Sequence, residues 1–126
     1  MNVLGTQLLL ELNRCDRDLL NDLPYVRATL TKAAKAVGAT IVGESFHKFS
    51  PLGVTGVLAI AESHICIHTW PEYGYAAVDV FTCGEGFDPE KAAELLIRGF
   101  RSEAPSQTIV KRGALPNFAE APLTSL

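Results

Sequence analysis

Between residues 62 and 83 the chain gathers most of its reactive side chains: Glu62, Ser63, His64, Cys66, His68, Glu72 and Cys83. Glu62-Ser63 falls where two apolar runs meet, so it reads as a hairpin corner. A serine at a corner is ordinarily a turn residue whose hydroxyl bonds local backbone. Its hydroxyl attacks the carbonyl just before it only if the backbone is held strained, which a tight corner supplies. That attack would convert the Glu62–Ser63 amide to an ester. A base taking the Ser63 Cα proton would then expel the ester by elimination. The dehydroalanine left behind would hydrolyse to a pyruvoyl group, releasing ammonia.

Histidine is the natural base for such a step near neutral pH, and the chain has three, His47, His64 and His68. Strand alternation puts His64 and His68 on one face and Ser63 on the other. For His68 to act on Ser63, the corner must turn the chain or a bulge must change the parity. His47 and His64 read as strand residues bonded to neighbours. Cys83 closes the next apolar strand, and a thiol there is a competent proton donor to a carbanion-like carbon. Cys15 and Cys66 read as small buried hydrophobes. His64, Cys66, His68 and Cys83 are zinc-type ligands, but structural zinc sites use closely spaced pairs from turns, so no metal is expected. Tyr73 and Tyr75 read as core. Phe49, in a Pro/Gly loop, and Trp70, at a strand end, are placed to stack on a flat ligand. A ligand cation such as a sulfonium over such a ring gains about 0.5–2 kcal/mol.

These groups need elements to hold them. Strands are expected at Gln7 to Leu12, Thr40 to Phe46, Val54 to Ala61 (interrupted by Gly56), His64 to Trp70, Ala76 to Cys83 and Gln107 to Arg112. Arg14 to Asp22 reads as a charged connection. Pro24 opens a helix whose apolar positions Val26, Leu30, Ala33, Ala34 and Val37 recur at helical spacing up to Gly38. Asp88-Pro89 opens a second, with a stripe of Ala92, Leu95, Leu96, Gly99 and Phe100. Hairpin-linked strands are antiparallel, and two helices cover only one face of such a sheet. The expectation is an α+β two-layer sandwich, an antiparallel sheet with two helices packed on one face. Its uncovered face carries apolar strands, which favour a bound ligand or a second copy. Residues 113–126 lack periodicity and read as a loose tail.

A length of 126 residues fits a single domain, 1–126, and the charge of -3 with no basic stripe excludes nucleic acid as an expected partner. The longest apolar runs are too short to span a bilayer, and no secretory signal is read. Three cysteines without a C-x-x-C pair suit free thiols in the cytoplasm.

Several separated motifs resemble the prokaryotic S-adenosylmethionine decarboxylases. They are His47-Lys48-Phe49-Ser50-Pro51 with Gly53, Ala61 through Tyr75, and Asp79-Val80-Phe81-Thr82-Cys83-Gly84. Leu20-Asn21-Asp22-Leu23 and Lys111-Arg112-Gly113 are also similar. The run Glu-Ser-His-Ile-x-Ile-His-Thr-Trp-Pro-Glu is far too specific for chance. The resemblance implies cleavage between Glu62 and Ser63, giving a β chain of residues 1–62 and an α chain of 63–126 headed by a pyruvoyl cofactor made from Ser63. It assigns His68 to processing and Cys83 to proton donation. It places Glu72 on the ribose hydroxyls and Phe49 on the adenine. Thr55 stands where the family has a serine that helps processing, keeping the hydroxyl and adding a methyl. Cys66 stands where serine is common.

The implied reaction joins the cofactor to the amine of S-adenosylmethionine as a Schiff base, releases carbon dioxide, and yields the aminopropyl donor of spermidine synthesis. A homodimer of αβ units is implied as well. Two rival readings are a pyruvoyl-dependent arginine decarboxylase on the same scaffold, and an uncleaved, inactive binding domain. Phe49 and Glu72 weigh against the first; Ser63, His68 and Cys83 together weigh against the second.

Overall fold

Two capped helices set the covered layer. In the computed structural model, which describes residues 3–83 and 87–115, Asp22 accepts the Tyr25 N–H at the start of the helix Leu23–Ala36, with Pro24 in its first turn. The helix ends before Gly38, whose φ of 78 is the left-handed conformation glycine takes without penalty. Asp88 caps Pro89–Gly99 in the same way. The stripes Val26, Leu30, Ala33, Ala34 and Ala92, Ala93, Leu96 are buried against the sheet.

The sheet contains β1 (Val3–Leu12), β2 (Ile41–Lys48), β3 (Val54–Ile60), β4 (Ser63–Trp70), β5 (Tyr75–Cys83) and β6 (Ser106–Ala114). Their order is β2-β3-β4-β5-β1-β6, with every neighbouring pair antiparallel. Alternation sends Leu8, Leu10, Leu12, Leu58, Ile65, Ile67, Val78 and Val80 into the core beneath the helices. It leaves Leu9, Val57, Cys66, Asp79 and Phe81 on the opposite face, where Leu9 and Val57 are more than a third exposed. This is the expected α+β sandwich, helices on one side only. Among the described residues, no helix is long and apolar enough to cross a membrane.

Four local expectations are corrected. Arg14 to Asp22 is not a bare connection: Asp16 caps a short helix, α1 (Arg17–Leu20), which buries Leu20. At four residues it is too brief to show a period. Strand β1 begins at Val3 rather than Gln7, because Gly5 masks the alternation while still pairing with Cys83 and Arg112. Gly56 does not interrupt β3; the Phe46 ring lies over it, in the space a side chain would fill. Gly113 and Ala114 belong to β6, and the rest of the expected tail, from 116, lies outside the described residues, as does Gly84.

Thr69 ties the layers together. Its buried hydroxyl donates to the Leu20 carbonyl and accepts from the Val54 N–H, both at 2.8 Å. One side chain thus joins β4, β3 and α1.

Candidate active site

Ala61 and Glu62 alone connect β3 to β4, since Ile60 pairs with Ser63. The two-residue turns that suit sheet twist need a positive φ at their first central residue. Here Glu62, the second, has φ 63, and Ala61 is not positive. A glutamate in this region is uncommon and carries strain of about 1–3 kcal/mol. The strained residue is the one that precedes Ser63.

The Glu62 carbonyl is not free. It accepts the backbone N–H of Cys83 at 3.3 Å. Ser63 donates its hydroxyl to Thr82 Oγ1 at 3.2 Å, on the helix side of the sheet. Glu62, Ser63, His64, Phe81 and Cys83 line a cavity of about 490 Å³. The backbone therefore polarises the carbonyl that Ser63 would attack, while the Cys83 side chain, alternating with Thr82, turns to the open face of the sheet. Neither Thr82 nor the Cys83 N–H was legible in the sequence: a backbone donor leaves no residue-type signal, and Thr82 meets Ser63 only through the register of β4 with β5.

The second group lies at the other end of the hairpin. His68 Nδ1 and Thr55 Oγ1 are 3.1 Å apart, as expected for cross-strand partners. Thr55 also pairs with His47, whose ring meets Phe49 edge-on with centroids 4.6 Å apart. Trp70 leans on Tyr75 at 5.5 Å, and Glu72 is exposed in the 3-10 turn Pro71–Tyr73. Phe49 and Trp70 are 46% and 41% exposed, open enough to receive a ring. Phe49, Trp70 and Glu72 thus sit not at the Ser63 corner but with Thr55 and His68.

No bulge changes the parity of β4, whose pairing with β3 runs unbroken from Ser63 to His68. His64 and His68 therefore share a face that Ser63 does not. The five-residue step from Ser63 to His68 spans about 17 Å of strand. Within one chain Ser63 with Cys83, and His68 with Thr55, are two half-sites that do not touch.

Between them lie Cys66 and Asp79, while Glu11 and Tyr75 stand at the His68 end. Burial, then the Asp79 charge, pushes the Cys66 thiol up. Burial, then the 2.7 Å bond to Glu11, pushes the Tyr75 phenol up to about 12. Cys15, whose N–H bonds the Gly74 carbonyl after the 3-10 turn, is pushed up to about 11, mainly by burial. All three thiols are free. Among the described residues no group of three or more His, Cys, Asp or Glu is placed to hold a metal.

This sandwich falls in a class with solved representatives. The crystal structure of the adenosylmethionine decarboxylase from Aquifex aeolicus superposes with a TM-score of 0.86 at 33% identity, covering 92% of this chain and 96% of that one. The family model for S-adenosylmethionine decarboxylase matches residues 6–113. The S-adenosylmethionine decarboxylase proenzyme of Thermodesulfovibrio yellowstonii is 53% identical over 120 residues, 95% of this chain and 89% of its own. That of Carboxydothermus hydrogenoformans is 46% identical over the whole of both chains. The chain belongs to the S-adenosylmethionine decarboxylase family.

Proposed function

We propose that this chain cuts itself between Glu62 and Ser63, and that the processed form, with a pyruvoyl group at position 63, decarboxylates S-adenosylmethionine. The observation that carries the reading is Glu62: a positive-φ residue whose carbonyl is held by the Cys83 N–H directly before a serine. Strain and polarisation both favour attack by Ser63 Oγ at that carbonyl. The relatives' names, with "proenzyme" in each, support it.

The base must come from elsewhere, because His68 is a strand-length away. A second copy laid face to face on the open side of the sheet, related by a twofold axis, supplies it. Such an axis carries the Ser63–Cys83 end of one chain onto the Thr55–His68 end of the other. Its position follows from the register. Along β4 the midpoint of Ser63 and His68 falls beside Cys66, and β4 itself lies between Thr55 on β3 and Cys83 on β5. The same docking covers Leu9 and Val57. A homodimer with two shared sites is the arrangement this geometry favours.

In the assembled site the partner's His68 takes the Ser63 Cα proton, oriented by the partner's Thr55. A pyruvoyl group supplies an electron sink for the bond to the departing carboxylate. Cys83 then protonates the α carbon. The partner's Phe49 and Trp70 offer ring faces to the adenine and the sulfonium, and the partner's Glu72 offers its carboxylate to the ribose hydroxyls. Free thiols throughout suit a reducing cytoplasm.

The test is release of carbon dioxide from carboxyl-labelled S-adenosylmethionine by the purified protein. Turnover is expected, lost in Ser63→Ala and reduced about 10²–10⁴-fold in Cys83→Ala. Turnover of arginine instead would hand the site to the rival reading. Turnover of neither would leave the binding-domain reading.

A further inference from the structure

Cutting at Glu62–Ser63 turns the middle of a hairpin into a chain end, and chain ends fray unless something ties them down. In the uncut chain residue 63 is held by pairing with Ile60 and Thr82 and by its hydroxyl on Thr82. The chemistry consumes most of that hold. The Ser63 nitrogen leaves as ammonia and the hydroxyl is eliminated, so both the N–H and the Oγ bond to Thr82 are lost.

His64 keeps its anchor. Its ring stacks on Phe81, its direct cross-strand partner, with centroids 5.5 Å apart and planes 19° from parallel. Phe81 in turn reaches over Gly5 on β1 with the far edge of its ring. A Cβ at Gly5 would stand 2.6 Å from Phe81 Cζ and 2.9 Å from Cε1. Three adjacent strands thus build one layered support: Gly5 below, Phe81 on it, His64 against Phe81. His64, Phe81 and Cys83 line both the cavity at Ser63 and a second one of about 430 Å³ bordered by Gln7 and Arg112.

We propose that the His64–Phe81 stack seated on Gly5 is the clamp that holds the new α-chain terminus, and so the carbonyl group at position 63, in place beside Cys83. The inference rests on the self-processing reading above. His64 is a positioning residue in it: a flat ring, not a proton carrier.

The test compares His64→Ala, Gly5→Ala and His64→Phe as full chains left to process. Hydrogen exchange of the first α-chain amides is read by mass spectrometry, alongside kcat and KM. His64→Ala and Gly5→Ala are expected to be cut, to exchange residues 64–67 roughly tenfold faster or more, and to lose between about ten- and a hundredfold in kcat with KM unchanged. His64→Phe keeps the stack and should match the unsubstituted protein in exchange, kcat and pH profile. Wild-type exchange and turnover in His64→Ala would overturn the clamp. So would a His64→Phe chain as impaired as His64→Ala. A chain left uncut by either His64 substitution overturns it too, since that places the imidazole in the cutting step. An unsubstituted chain that stays whole refutes the self-processing reading instead.

Discussion

Thr55 Oγ1 lies 3.1 Å from His68 Nδ1 at the end of β4 remote from Ser63. A histidine whose Nδ1–H donates to a hydroxyl keeps the lone pair on Nε2, the form a base needs. The threonine methyl does not disturb this contact. Thr55→Val should therefore slow cutting, by about 1 kcal/mol or roughly fivefold, while Thr55→Ser keeps the rate. The time course of chain cutting on a denaturing gel measures both. Equal rates in all three chains would remove Thr55 from the chemistry.

Separation of the half-sites gives a sharper expectation. Ser63→Ala and His68→Ala chains should each stay whole alone. When co-expressed they form a mixed dimer in which the serine of the His68→Ala chain faces the intact histidine of its partner. Only the His68→Ala chains should then be cut, which distinct affinity tags on the two chains would reveal. Cutting of neither would mean that Ser63 does not depend on a second copy's His68.

Tyr75 gives a pH signature. Its phenol is pushed up from the ordinary tyrosine value of about 10 to about 12, by burial and then by Glu11. Between those values the unfolded chain has lost a proton that the folded chain keeps, so folding stability falls as pH rises through that window. Below pH 10 the contribution is complete. Ultraviolet titration, with Tyr75→Phe to assign the signal, should show the Tyr75 midpoint late, and Glu11→Gln should bring it down.

Thr69→Val swaps the hydroxyl for a methyl of similar size and leaves two buried backbone groups, Val54 N–H and Leu20 C=O, without their partner. Each costs about 1–3 kcal/mol. Urea unfolding should report the loss in the midpoint. A midpoint shift below the lower bound would mean that the groups find other partners.

How far the sequence reaches depends on the length of each signal. The two long helices were readable because their caps and stripes repeat over several turns, whereas α1, with its Asp16 cap, was not. The order of strands around β4 followed from hairpins, but β1 lying between β5 and β6 did not, since no local pattern encodes which distant strands pair. The candidate residues Ser63, Cys83, Thr55, His68, Phe49, Trp70 and Glu72 could be named from the sequence together with the resemblance it carries. What the sequence concealed is that they form two groups at opposite ends of one hairpin. Alternation warned that His68 and Ser63 point to different faces. The distance between them emerged only with the unbroken register of β4.

The most direct measurement is the intact mass of the purified protein under denaturing conditions, with Ser63→Ala beside it. Self-processing predicts two chains that meet at Glu62 and Ser63, the second bearing a pyruvoyl group in place of its first residue, and an uncut mutant. A single whole chain after long incubation would contradict the account at its root.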